Sequence, residues 1–275
     1  MSKIRLDVLL HQRKLTESRE KASALIMSGS VFVDGKKAIK PGMQVSADCE
    51  TEISAGLKYV SRGGLKLEKA IEHFDISPKS KVCIDCGAST GGFTDCLLQY
   101  GANIVYAVDV GYGQLAWPIR NDPRVIVMER TNIRYITPDM FEQKPEFAVA
   151  DVSFISLKLV LPALSNIMTN DSSAICLIKP QFEAGREKVG KKGVVRDADT
   201  QKEVLDMFCK NAADCGFGVK GLTFSPIKGA SGNIEYLGYL RYNEKSEAIE
   251  TSMIVSQAQE NYGKAENIIM PECGT

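Results

Sequence analysis

The stretch Val82-Cys83-Ile84-Asp85-Cys86-Gly87-Ala88-Ser89-Thr90-Gly91-Gly92-Phe93 sets the architecture. An apolar run of strand length passes straight into a glycine-rich turn, and a helical pattern follows over 92–100. Small residues in such a turn let the backbone approach a ligand closely. The turn stands at the carboxyl edge of its strand, where open α/β sheets bind ligands. On either side the same alternation continues. Strands are expected near 81–86, 104–109, 125–128, 147–151, 173–179, 217–225 and 234–241. Helices are expected at 63–74, 92–100, 156–168 and 199–214. Strands alternating with helices imply an α/β, doubly wound, mostly parallel sheet with right-handed crossovers. The last two strands are joined by residues 225–233 with no helix between them, which implies an antiparallel final pair.

The turn departs from the Gly-x-Gly-x-x-Gly of dinucleotide binders, and the Gly-Lys-Ser/Thr of a Walker loop is absent. The next strand ends at Asp109, an acid placed to hold ribose hydroxyls. Asp85-x-Gly87-x-x-x-Gly91-Gly92 with Asp109 therefore suits S-adenosylmethionine, a nucleoside cofactor without a pyrophosphate. Cys83 and Cys86 have the spacing of half a zinc site, but no second pair stands at a suitable distance. Buried strand packing accounts for them better, and no metal is expected.

Composition narrows the function classes. The chain has 275 residues, 44% hydrophobic and 25% charged, with zero net charge, as expected for two ordinary globular domains. Two histidines, His11 and His73, leave little for a histidine metal centre or a Ser-His-Asp triad. Proton chemistry must then come from Lys, Asp, Glu, Tyr or Cys. The eight cysteines mostly sit in apolar runs with no leader-like segment at the start, which reads as reduced thiols in a cytoplasmic protein. No stretch reaches the length of a membrane span.

Residues 1–55 read as a small module. Leu6, Leu9 and Leu10 form one face of a short helix. Thr16 or Ser18 caps a second helix with Ala22, Leu25 and Ile26 inward and Gly29 at its end. Val31-Phe32-Val33 and Asp34-Gly35 read as strand and tight turn, and Pro41-Gly42 turns into a further strand ending near Ile53. Residues 1–41 carry nine basic against four acidic side chains, the pattern of an RNA-contacting face or of a solvated helix face. Residues 56–62 read as a linker, 63–243 as the main domain, and 244–275 as a C-terminal tail without a clear final strand.

Four charged residues stand out beside the expected crevice. Lys66 lies in Arg62-Gly63-Gly64-Leu65-Lys66, and Asp151 follows Ala148-Val149-Ala150. Lys179 ends the apolar run Ile175-Cys176-Leu177-Ile178, and Glu235 opens the last strand. Each taken singly reads as a solvated strand end; Lys179, before Pro180, is the hardest to read that way. With Arg5-Leu6-Asp7, Val33-Asp34-Gly35, residues 59–67, the glycine turn, Ala150-Asp151-Val152-Ser153-Phe154-Ile155-Ser156 and Ile178-Lys179-Pro180-Gln181-Phe182-Glu183, the chain resembles the TlyA family of ribosomal RNA 2′-O-methyltransferases, historically labelled haemolysins. The resemblance covers nearly the whole chain. It implies an S-four-like RNA-binding domain, a small α+β unit, followed by an FtsJ-type domain. The latter is a Rossmann-like class I S-adenosylmethionine-dependent methyltransferase with a seven-stranded, mostly parallel sheet.

The resemblance also implies a catalytic tetrad of Lys66, Asp151, Lys179 and Glu235. The cofactor contacts it implies are Asp85, Gly87, Ser89, Thr90, Gly91, Gly92, Phe93, Asp109, Asn132 and Asp151. Lys179, as the neutral amine, would accept the proton of a ribose 2′-hydroxyl, with the other three orienting it. A 2′-hydroxyl makes RNA the substrate class; the family suggests cytidine in ribosomal RNA, with ribosomal RNA or ribosomal subunits as partners. Arg5, Arg19, Lys21, Lys36 and Lys37 would contact RNA through its backbone. The loop 186–196, with Arg186, Lys188, Lys191, Lys192 and Arg196, reads equally as a closure over RNA or as a solvated loop. The alternative is a ribosome-assembly or RNA-binding protein with weak or no catalysis, against which the intact tetrad speaks. A base amino-methylating enzyme would need prolines after Asp151, which Val152-Ser153-Phe154 lacks. A membrane-lytic toxin would need an apolar span or a basic amphipathic helix, and neither is present.

Overall fold

A computed structural model describes residues 3–27, 30–38, 40–53, 58–190, 192–229 and 231–268. Gly29, Lys191, Cys273 and the start of the expected linker lie outside the described residues, as does the side chain of Lys37. The chain divides into two compact units, Met1–Lys58 and Tyr59–Thr275.

In the first unit, β1 (Lys3–Arg5) leads into α1 (Leu6–Gln12), and α2 (Arg19–Met27) follows. Then come β2 (Val31–Val33), β3 (Lys36–Lys37), β4 (Gln44–Ser46) and β5 (Thr51–Ile53). The Ser18 hydroxyl accepts from the Lys21 amide at the start of α2, 3.1 Å away, as a capping residue does. Leu6, Leu9, Leu10, Ala22, Ile26, Val31 and Val33 bury together as one small core. β1 pairs with β4, a short ladder that the sequence pattern did not show.

The second unit begins at Tyr59, four residues earlier than the domain start read from the sequence. Tyr59 is buried, its hydroxyl donates to Glu68 at 2.9 Å, and the Val60 amide donates to Asp95 at 2.8 Å. These ties make the second half of the expected linker part of the second unit. Its elements are α3 (Gly63–His73), β6 (Val82–Cys86), α4 (Gly92–Gln99), β7 (Ile104–Val108), α5 (Trp117–Arg120), β8 (Val125–Met128) and β9 (Phe147–Ala150). They continue with α6 (Leu161–Ile167), β10 (Ser173–Ile178), α7 (Pro180–Glu183), α8 (Ala198–Asp214), β11 (Phe217–Phe224), β12 (Tyr236–Tyr242) and α9 (Thr251–Ile268). β6, β9 and β10 are buried along their whole length, as parallel strands covered on both faces must be.

The seven strands lie in the order β11-β12-β10-β9-β6-β7-β8. β12 inserts between β10 and β11 and runs antiparallel to both. That reversal matters for the site. The start of β12 falls at the carboxyl edge of the parallel strands, with Tyr236 opposite Ile178. Two apolar layers cover the sheet, one built on α6 and α8, the other on α3 and α4. The expected tail contains α9, whose Val255 and Ala258 join the first of these layers. The spacing of Val255, Ala258 and Tyr262 suits a helix face, but only the groove beside α8 and β11 gives that face something to cover.

Candidate active site

The carboxyl ends of β6, β7, β9 and β10 release the site residues side by side. Cys86 pairs with both Val108 and Ala150, and Ala150 pairs with Cys176. Gly87, Asp109, Asp151 and Lys179 therefore emerge along one edge. Gly87 has φ +88°, and a Cβ there would lie 2.5 Å from the Asp151 carbonyl oxygen, so this crossing of two chains requires glycine. At Gly92 a Cβ would overlap the Ser61 hydroxyl, which lets the segment 59–64 lie over the start of α4.

Two cavities open on this edge and share Gly87, Ser89, Asp151, Ser153 and Phe154. The first, about 720 Å³, is lined further by Asp109, Val110, Asn132, Ile133 and Leu159 among others. Asp109 accepts from the Ser89 amide at 2.8 Å and from the Gly111 amide at 2.7 Å, which fixes its carboxylate toward the cavity. Asn132 begins a short turn by accepting from the Arg134 amide at 3.1 Å. The second cavity, about 610 Å³, brings together Lys66, Asp151, Lys179 and Glu235 with Thr90, Gly92 and Phe93.

Two expected cofactor contacts are placed elsewhere. Asp85 is fully buried within β6 beneath the turn and accepts from the Thr94 hydroxyl at 2.6 Å. It lines neither cavity; it holds the turn against α4 from below. Burial pushes its carboxyl up to about 7, with the Asp151 and Asp109 charges adding and the Thr94 bond opposing. Gly91 likewise faces away, toward Leu115 and Ile119.

The four charged residues form two pairs. Lys66 Nζ donates to Glu235 Oε2 at 2.6 Å, and both residues are buried. Lys179 Nζ lies 2.6 Å from Asp151 Oδ1 and donates to the Ser153 hydroxyl at 2.9 Å. The Gln181 side-chain amide reaches toward Glu235 Oε1 at 3.5 Å, beside the first pair. Cys83 and Cys86 are buried in β6, and burial pushes the Cys83 thiol up to about 12, as packing residues rather than reactive thiols.

Ser153, Phe154, Gln181 and Phe182 were visible in the sequence only as members of motifs. Phe154 is 91% exposed, has φ +63°, and borders both cavities, with the Phe182 ring 5.2 Å away. A bulky residue in the left-handed region is strained backbone that the surrounding turn must hold. An exposed aromatic face at the mouth of a charged cavity is a platform on which a base can stack. Glu183 anchors this turn, accepting from the Ser156 hydroxyl at 2.6 Å and the Leu157 amide at 2.8 Å. Their only sequence signal was proximity to Asp151 and Lys179.

In the first unit, the expected RNA contacts are less open than their sequence suggests. Arg5 grips buried Asp7 through two bonds of 3.0 and 2.8 Å, and Arg19 reaches the same carboxylate at 3.4 Å. The Arg5 bonds hold Asp7 down to about 2. Lys21 pairs with Glu17, while Lys36 is exposed. Of the 186–196 loop, Lys188 pairs with Glu203, and the Val195 amide donates to buried Asn233 at 2.9 Å.

Residues 59–242 match the FtsJ-like methyltransferase family. The chain belongs to that family. Residues 4–48 match the S4 domain. A Bacillus subtilis protein provisionally named rRNA methyltransferase YqxC is 54% identical over 242 residues, covering 87% of this chain and 86% of that protein. The 16S/23S rRNA (cytidine-2′-O)-methyltransferase TlyA of Mycobacterium tuberculosis is 45% identical, covering 86% of this chain and 89% of that protein. A solved structure from Streptococcus thermophilus, provisionally named a hemolysin, is 46% identical. It superposes with a TM-score of 0.77 over 97% of this chain and 99% of that one. The S4 and FtsJ-like pairing agrees with the family resemblance carried by the motifs, and the Rossmann-like sheet with the expected fold class. No described helix is long and apolar enough to cross a membrane.

Proposed function

We propose that this protein methylates a ribose 2′-hydroxyl of ribosomal RNA, at cytidine, with S-adenosylmethionine as donor. The observation that carries the reading is the convergence of two lysine–carboxylate pairs on the cavity beside the glycine turn. The residues present fit the cofactor. Asp109, its carboxylate fixed by the Ser89 and Gly111 amides, presents an acid to ribose hydroxyls, and Val110, Ile133 and Leu159 supply apolar wall for a base. When bound, S-adenosylmethionine supplies an electrophilic methyl group on a positively charged sulfur.

The chain's own residues do the rest. Lys179, as the neutral amine, accepts the 2′-hydroxyl proton, and Asp151 and Ser153 hold its Nζ in place. Lys66 and Glu235 orient the ribose from the closed side of the cavity. Holding the hydroxyl in position supplies much of the acceleration. The N-terminal unit contributes phosphate contacts through Arg5, Arg19, Lys21, Lys36 and Lys37. Each guanidinium carries five N–H donors, more than Asp7 takes from Arg5 or Arg19. The relatives' names support ribosomal RNA as the substrate class; its presentation within ribosomal subunits, in the cytoplasm, belongs to the proposal.

The test is transfer of labelled methyl from S-adenosylmethionine to purified ribosomal subunits, with the product mapped by resistance of the modified linkage to alkali. A methyl group on a ribose 2′-oxygen of cytidine is the expected result. Label on a base, or no transfer to either subunit, would overturn the reading.

A further inference from the structure

The C-terminal helix α9 lies beyond both matched regions, which end at residues 48 and 242. It nevertheless reaches the back of the catalytic cavity. Its Tyr262 is buried, and the hydroxyl donates to the Ser225 carbonyl oxygen at 2.6 Å. The amide of Ser225 in turn donates to the Glu235 carbonyl oxygen at 2.8 Å. Two hydrogen bonds therefore connect the tail helix to the backbone of a residue that pairs with Lys66. Ser225 is fully buried, and its hydroxyl accepts from and donates to the Ile227 backbone, so the whole turn is fixed from one point.

The segment held this way forms one wall of the cavity: Ile227, Lys228, Gly229, Ser231 and Glu235 all line it. Lys228 Nζ lies 5.2 Å from the centre of the Tyr262 ring. A Cβ on Gly229 would overlap the Glu235 carboxylate, so the wall touches the carboxylate directly. Tyr262 also meets Phe224, at 6.3 Å between ring centres, and Phe224 carries Lys69 Nζ over its face at 3.6 Å. Lys69 stands one turn along α3 from Lys66. The α9 ring thus packs behind the backbone that carries Glu235 and against Phe224, which lies beside the α3 turn next to Lys66.

We propose that α9 is a positioning element of the active site and that Tyr262 is the residue through which it acts, by seating Ser225 and with it Glu235. Tyr262 touches no substrate; it sets where the Glu235–Lys66 pair stands. The inference rests on the methyltransferase reading above and adds a residue from outside the family's matched region.

The test uses the full chain with Tyr262→Phe, which keeps the ring and removes one hydrogen bond. Turnover per cofactor-binding site should fall about fivefold to tenfold, the kinetic counterpart of one net hydrogen bond. S-adenosylmethionine affinity should stay within about twofold, because no residue of the 225–235 segment lines the first cavity. A loss of folded protein alone would lower the number of binding sites and leave turnover per site unchanged. Tyr262→Leu, which also removes the ring edge against Phe224, should show the same split with a larger fall. Unchanged turnover per site in Tyr262→Phe, or cofactor affinity falling in step with turnover, would overturn the proposal. Absence of methyl transfer by the unaltered chain would instead overturn the underlying reading.

Discussion

The Lys66–Glu235 and Lys179–Asp151 pairs use the same chemistry in different surroundings. In the first, the two side chains are 11% and 3% exposed, and the partners come from α3 and the start of β12. In the second, Asp151 keeps 22% exposure, faces both cavities, and shares its lysine with the Ser153 hydroxyl. A closed pair holds position, because removing either charge strands the other in a medium that solvates it poorly. An open pair can exchange a proton with an entering hydroxyl. Lys179 itself is as buried as Lys66, so the contrast rests on Asp151, and it is the ground for the proposal that the first pair orients and the second transfers the proton.

The largest effect tests the open pair. Lys179→Ala should lower turnover about 10²–10⁴-fold, the range of a lost general base, while cofactor affinity measured by calorimetry stays close to that of the unaltered chain. Lys179→Arg should fail as well, since a guanidinium keeps its proton. Near-normal turnover in Lys179→Arg would erase the functional difference between the pairs.

The closed pair is tested through stability. Lys66→Ala leaves Glu235 buried without its cation and should cost about 3–5 kcal/mol in denaturant unfolding. Lys66→Met combined with Glu235→Leu should recover most of that stability and remain inactive. Recovered turnover in the double variant would reduce the pair to a structural tie.

Asp85 extends the contrast to a buried acid that meets a hydroxyl instead of a cation. Its carboxyl titrates near 7 when folded and near 3.8 when exposed. Between those values the folded chain binds more protons than the unfolded one, so stability falls as pH rises from about 4 to about 7 and is level above. Asp85→Asn should remove this slope, worth a few kcal/mol at most. Unfolding midpoints at pH 4.5, 6 and 8 would show it, and parallel profiles for the two proteins would refute it.

The smallest effect concerns the open edge of the first cavity. Asp109→Ala removes a charge-assisted bond to ribose and should weaken S-adenosylmethionine binding by about 1.5–3 kcal/mol, with turnover at saturating cofactor little changed. Calorimetry showing equal affinity would move the ribose contact to another residue, with Asn132 the next candidate on the same wall.

Much of this site was legible before any fold was known. The glycine turn, Asp109, Asp151 and Lys179 all follow apolar runs, and a charge that ends such a run must emerge where the sheet binds ligands. Asp85 misled because an acid in the same run looks identical on paper whether it points up to the cavity or down to Thr94. Phe154 was hidden for a related reason: its exposure comes from a left-handed backbone that no residue pattern announces.

The order of strands and helices and the glycine turn were properties of the chain alone, because periodicity acts over a few residues; the four charged residues were singled out in the sequence, but only the family resemblance joined them into one set. Their pairing was not a property of the chain alone. Lys66 and Glu235 are 169 residues apart, and they meet only because β12 enters the sheet reversed between β10 and β11. The same insertion gives α9 a groove to fill and Tyr262 a carbonyl to hold. Contacts of that range depend on which strand lies beside which. The packing of two apolar layers across the whole sheet settles that order, and no local stretch of sequence carries it.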